Sequence, residues 1–263
     1  MNHLPQAVLI TGASSGIGRA LALLLARPGA TLHLSGRDAA RLGDIASQCR
    51  TRGAIVHTRI LDVRDALAMA DWIAGAGPLH LVVANAGVGA GSDDGRPEPA
   101  SQVRQVFSTN LDGALNTALP ALEVMLAQSP DSHGVRGRIA VIASIAAFVP
   151  GPGAATYCAA KAALDRWTVA TAHTAGRHGV VMTSVCPGYV RTAMTAANRF
   201  PMPGLMDPDR AAAIILKGVL RNRRRVAFPW WVAGMARLVG ALPPSCSTAL
   251  LATPPGKAPL PHP

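Results

Sequence analysis

Tyr157 and Lys161 stand four residues apart in Tyr157-Cys158-Ala159-Ala160-Lys161, so on a helix both side chains leave the same face. A phenol with an ordinary pKa of about 10 is a weak acid–base catalyst at neutral pH, and an ammonium beside it favours the phenolate and lowers that value. Ser144 lies thirteen residues before Tyr157, at the end of an expected strand, where its hydroxyl can face the same crevice. The three types together suit proton transfer at an oxygen atom. Cys158 points about 100° away from Tyr157 on such a helix and is expected in the core.

A second constellation lies near the start. The apolar run Ala7-Val8-Leu9-Ile10 leads into Thr11-Gly12-Ala13-Ser14-Ser15-Gly16-Ile17-Gly18. Glycines at these positions let a backbone approach a pyrophosphate, and a helix N-terminus opening there favours its negative charge. A tight turn without a ligand would use the same glycines; the position directly after the first strand favours the ligand. Gly12, Ser14, Ser15, Gly16, Ile17 and Gly18 are therefore candidate contacts.

Both constellations need a scaffold that delivers turns to one edge. Short apolar runs near 6–11, 31–35, 54–60, 79–84, 137–143, 180–186 and 225–228 read as strands. Stretches near 16–27, 38–52, 64–76, 101–127, 154–178 and 208–222 carry apolar residues at helical spacing, for example Ile17, Leu21, Leu24 and Leu25. Strands alternating with helices predict one doubly wound, parallel α/β sheet of the Rossmann type, about seven strands with helices on both faces. Residues 1–242 form the expected domain, and 243–263, which hold 7 of the 21 prolines, are expected to be an extended or disordered tail.

With the turn spaced as TGxxxGxG, the sequence resembles the compact short-chain dehydrogenase/reductase family. Matching residues follow in order: Asp62-Val63, Asn85-Ala86-Gly87, Asn110, Ser144, Tyr157-x-x-x-Lys161, and Pro187-Gly188 with Thr192, over roughly residues 5–230. The resemblance implies an oxidoreductase that transfers hydride between a nicotinamide cofactor and a carbonyl or secondary alcohol. It implies Tyr157 as acid and base, Ser144 as the holder of the substrate oxygen, Lys161 as a ligand of the nicotinamide ribose, and Asn110 as anchor of a water relay. It also implies that Asp62 and Val63 flank the adenine, that Asn85, Ala86 and Gly87 line the cofactor, and that Pro187, Gly188, Val190 and Thr192 hold the carboxamide side of the nicotinamide. Dimers or tetramers are usual for such proteins, and no metal is required.

Leu34-Ser35-Gly36-Arg37 ends the second strand, where an NAD-preferring member would carry an Asp for the adenosine-ribose hydroxyls. Arg37 instead offers a planar cation suited to a 2′-phosphate, with Ser35 adding a hydroxyl. NADP(H) is thus expected over NAD(H). Asp38 reads as the N-cap of the next helix.

Two regions leave questions open. Ala193 to Pro208, a lid in the resembled family, carries Met194, Phe200, Met202 and Met206, which suit either an adaptable apolar pocket, with Phe148 and Val149 extending its wall, or packing on the domain. Arg221, Arg223, Arg224 and Arg225 followed by Phe228, Trp230 and Trp231 suit either a membrane interface through 221–242 or a last strand and a core-covering helix. Alternative functions follow: a nucleotide-binding regulatory or scaffold protein with weak catalysis, or a membrane-surface reductase of lipid-like carbonyls.

Composition bounds the rest. Of the 263 residues, 49% are hydrophobic and 15% charged, which argues against disorder. Twenty-five Lys and Arg against fourteen Asp and Glu give a net charge of +11, but no nucleic-acid reader motif accompanies it. Cys49, Cys158, Cys186 and Cys246 are far apart with no CxxC pair, and His173 and His178 fall about 140° apart on a helix, so neither a disulfide framework nor a metal site is suggested. The start lacks a signal-peptide pattern, and a cytoplasmic protein is expected.

Overall fold

Val8, Leu9 and Ile10 are all buried, successive side chains meeting opposite layers of helices. The computed structural model describes residues 4–92, 96–198 and 200–252. In chain order the elements are β1 (Ala7–Thr11), α1 (Gly16–Leu25), β2 (Thr31–Gly36), α2 (Ala39–Thr51), β3 (Ile55–Ile60), α3 (Ala66–Ala74) and β4 (Leu81–Ala84). They continue with α4 (Ala100–Phe107), α5 (Gly113–Ala127), β5 (Gly137–Ile142), α6 (Ala155–Arg177), β6 (Val180–Pro187), α7 (Ala193–Ala196), α8 (Pro208–Leu220), β7 (Arg225–Phe228), α9 (Trp230–Gly240) and α10 (Pro244–Leu251).

The strands form one sheet in the order β3-β2-β1-β4-β5-β6-β7, every neighbouring pair parallel. Strand order reverses between β1 and β4, so the turns after these strands diverge and open a crevice at the carboxyl edge. On one face Leu21, Leu25, Leu42, Ile45, Ile215 and Val219 from α1, α2 and α8 bury the sheet. On the other, Met69, Ile73, Ala118, Met125 and Leu164 from α3, α5 and α6 do so. The expected doubly wound α/β sheet is what the chain forms.

Local chemistry sets the helix starts. Asp38 accepts a hydrogen bond from Arg41 N at 2.9 Å and caps α2, as its position predicted. Asp65 caps α3 in the same way. The stretch read as one helix over 101–127 is instead interrupted by a π-helical turn, Ser108–Asp112, between α4 and α5. Periodicity cannot reveal one extra residue in a turn, and such bulges gather at functional sites.

The tail expectation needs correction. Pro244–Leu251 is helical, with Pro244 in the first turn, where a missing N–H costs nothing; residues 253–263 lie outside the described residues. Among the described residues no helix is long and apolar enough to cross a membrane.

Candidate active site

The turn between β1 and α1 is forced by close approach. Gly12 has φ +64°, and a Cβ there would lie 2.9 Å from the Ala86 Cα, while one on Gly18 would run into the Gly12 carbonyl. Asn85 locks the two loops: its amide donates to Thr11 O at 2.9 Å and to Gly12 O at 3.1 Å, and its own N–H donates to Thr11 Oγ1. Thr11, not among the expected site residues, is thus a structural hinge of the cradle. Its signal was the β-branched hydroxyl at the strand end.

One cavity of about 870 Å³ runs along this carboxyl edge. Gly12, Ser14, Ser15, Gly16 and Ile17 line its middle, next to Asn85, Ala86 and Gly87. Asp62 and Val63 line one end beside Ser35 and Arg37; Ser144, Tyr157, Lys161, Pro187, Gly188, Val190 and Thr192 line the other. Gly18 and Asn110 stand behind the wall. Asn110, in the π-helical turn, is fully buried; its amide accepts from Val88 N at 2.7 Å and donates to Val88 O at 2.8 Å. This clamp holds the loop after β4, with Asn110 and Lys161 flanking Gly87.

At the β2 end, Ser35 Oγ is buried without a hydrogen-bond partner among the described residues, while Arg37 is exposed at the lip. Arg41, one turn further and unanticipated, lines the same end and ion-pairs with Asp38 at 2.6 Å. Asp62 is held below the usual carboxylate range, first by hydrogen bonds from Arg64 and lastly by the nearby charge of Arg37. An orphan hydroxyl, two cations and a backbone cradle with space only for glycine fit a phosphorylated dinucleotide.

The catalytic candidates converge as their spacing predicted. Tyr157 and Ser144 are hydrogen-bonded side chain to side chain. Ser144 Oγ also accepts from Ala146 N at 3.1 Å, capping the 3-10 turn Ile145–Phe148. Lys161, buried on the same face of α6, donates to Ile142 O at 2.8 Å, and its ammonium lies 5.8 Å from the Tyr157 ring centre. The expected lowering of the phenol is not seen. Burial pushes Tyr157 up to about 12, against the opposing hydrogen bond from Ser144.

The far wall comes from the C-terminal helices. Trp231, Met235 and Val239 of α9 and Leu250 and Leu251 of α10 line the cavity, with Met194, Phe200 and Val149 across from them. Cys158 also reaches the wall, buried against Gly151. Met206 does not reach it, because a β-bridge to Val190 turns it onto the core. Phe148 is likewise turned away, its ring 4.5 Å from the Arg237 guanidinium and 5.7 Å from that of Arg225.

Arg225 leaves the basic cluster altogether. Its guanidinium forks onto Asp165, Nε to Oδ1 at 2.8 Å and Nη2 to Oδ2 at 2.7 Å, and Ser184 donates to the same carboxylate at 2.7 Å. Burial opposes the charge on Asp165, and these hydrogen bonds overcome it, leaving the carboxyl below its usual range. The pair ties β7 and β6 to α6, two turns beyond Tyr157. Arg221, Arg223 and Arg224 remain exposed.

A family model described as short chain dehydrogenase matches residues 6–201. An uncharacterized oxidoreductase of Myxococcus xanthus is 37% identical over 242 residues, covering 90% of this chain and 93% of its own. The gluconate 5-dehydrogenase of Gluconobacter oxydans is 32% identical over 194 residues, 71% of this chain and 72% of its own. A short-chain dehydrogenase of Sphingobium yanoikuyae, solved in complex with NADPH, superposes with a TM-score of 0.77 at 25% identity, covering 87% of this chain and 90% of that one. Motif order, parallel sheet and relatives converge on one assignment: the chain belongs to the short-chain dehydrogenase family of oxidoreductases.

Proposed function

We propose that the protein is an NADP(H)-dependent oxidoreductase that reduces a carbonyl to a secondary alcohol, with Tyr157 as the proton donor. The observation that carries the reading is the convergence of Ser144, Tyr157 and Lys161 on a cavity whose other end offers Ser35, Arg37 and Arg41. The nicotinamide supplies or accepts the hydride when bound. Everything else falls to this chain's residues.

Tyr157 and Ser144, already hydrogen-bonded, can both point at one substrate oxygen, Ser144 orienting it and Tyr157 passing it a proton. A phenol pushed up to about 12 stays protonated at neutral pH, which suits reduction; oxidation needs the phenolate and alkaline conditions. Lys161 would hold a ribose hydroxyl of the bound cofactor, and its charge near the ring would stabilise negative charge that develops on the phenol as the proton leaves. The water relay attributed to Asn110 is supported by its nearness to Lys161 across Gly87.

Arg37 and Ser35 are assigned to the 2′-phosphate, with Arg41 as a second cation. The NADPH complex of the Sphingobium yanoikuyae relative supports this preference. The scaffold alternative would not require Ser144, Tyr157 and Lys161 to meet. The test is NADPH oxidation across a panel of carbonyls, with Tyr157→Phe alongside. Turnover lost in the variant is expected; undiminished turnover would overturn the proton-donor role, and no turnover of any carbonyl would favour the scaffold.

A further inference from the structure

Apart from Lys161 beside Tyr157, the charged side chains that line the cavity gather at one end, where Arg37, Asp38, Arg41 and Asp62 surround the adenosine site. Beyond Tyr157 no charged side chain lines the cavity among the described residues. Trp231, Met235 and Val239 follow one another at intervals of four on α9, so they form a single stripe turned into the cavity.

Core packing does not account for that stripe. Of the eleven residues of α9 only Ala233 is buried. Met235 keeps 58% of its surface exposed and Leu250 on α10 keeps 62%, although both line the cavity. Large apolar side chains left in water at a cavity mouth mark a surface that something apolar covers. Its continuity with the Tyr157 site identifies the occupant as the substrate.

We propose that the substrate is an uncharged carbonyl compound with a long or bulky apolar body, and that Trp231, Met235 and Leu250 determine this specificity. The proposal rests on the oxidoreductase reading above. The carbonyl end meets Tyr157 and Ser144, while the apolar body lies along α9 and ends inside the wall that α9 and α10 form. A carboxylate carried there would lose its water among groups that offer no counter-charge. Each methylene laid on the wall adds the transfer energy of one buried CH₂, about 0.8 kcal/mol or close to fourfold in affinity.

The test is calorimetric titration of the full chain, saturated with NADP⁺ so that no ketone is turned over, with straight-chain methyl ketones from butanone to decanone and with an oxo-decanoate ionised at its far end, alongside NADPH oxidation by the same compounds. Affinity is expected to rise about fourfold per methylene, with oxo-decanoate at least tenfold weaker than decanone. Met235→Asp and Leu250→Asp, at exposed positions where the fold tolerates a charge, should each weaken decanone at least tenfold, and decanone more than butanone. Leu238→Asp, on the same helix, 73% exposed and outside the cavity lining, should leave decanone unchanged. Affinity independent of chain length, equal binding of oxo-decanoate, or indifference to both wall substitutions would overturn the proposal. Graded binding without NADPH oxidation would instead overturn the oxidoreductase reading and leave the wall standing.

Discussion

At the dinucleotide end, Asn85 and Thr11 stitch two loops together through main-chain atoms, and a Cβ on Gly12 or Gly18 would collide with backbone. At the far end, α9 buries one alanine, and Trp230 stands 82% exposed beside the wall. The first region is specified atom by atom, so few residue types serve it. The second needs only apolar volume, which many sequences supply. The family model stops at residue 201, before α9 and α10 begin. The cradle thus lies inside the matched segment and the wall outside it, a division that lets one fold serve different substrates.

The sharpest way to break this contrast is Tyr157→Phe, which removes the proton and leaves both ends intact. Reduction is expected to fall roughly 10²- to 10⁴-fold while NADPH affinity and melting temperature hold. In the unmodified protein, the proposed reduction uses the protonated phenol, so its rate should be flat through neutral pH and decline only on the alkaline side. A loss of NADPH binding in the variant would make Tyr157 part of the cradle instead.

Next comes the pair beneath both ends. Arg225→Ala would strand the buried Asp165 carboxylate and is expected to cost about 3 kcal/mol, read as a lower denaturation midpoint. Because the guanidinium also packs on Phe148, between the catalytic turn and α9, an unchanged midpoint would mean that the two regions are not coupled through this pair.

Arg37→Ala should act on the dinucleotide end alone. The ratio of kcat/KM for NADPH over NADH is expected to drop roughly ten- to a hundredfold, in line with about 1.5–3 kcal/mol for a hydrogen bond to a charged group. Preference that survives would move the 2′-phosphate to Arg41. The ketone selectivity of the wall should not change, and a shift there would blur the division between the two ends.

The smallest effect lies outside both. His33 stacks on His57 with ring centres 5.1 Å apart, and burial first, then the charge of His57, lowers its pKa below 6.5. The unfolded chain therefore takes up the proton more readily, so stability is complete above about pH 6.5 and falls as the pH drops below it. Urea midpoints from pH 7.5 to 5 should decline, and less so in His33→Gln.

Much of the cradle was legible because its residues are neighbours in sequence. Gly12 to Gly18 answer to one turn, Tyr157 and Lys161 to one helical face, and Asp38 to one cap. The wall was legible only as apolar residues with two readings, a pocket or the core. Met194 and Phe200 took the first reading and Met206 the second, and the β-bridge that decided Met206 joins residues sixteen apart.

What the sequence determined by itself was the alternation of strands and helices, the parallel sheet and the residue types that meet in the crevice, because each rests on residue type and short-range spacing. Tertiary structure alone decided the rest. Arg225 changed from a surface charge to the partner of Asp165, sixty residues away. Pro244–Leu251 became a helix against the cavity, and the Tyr157 phenol moved up rather than down. Each of these depends on which distant groups exclude water from a given atom, and that is settled only when the layers pack.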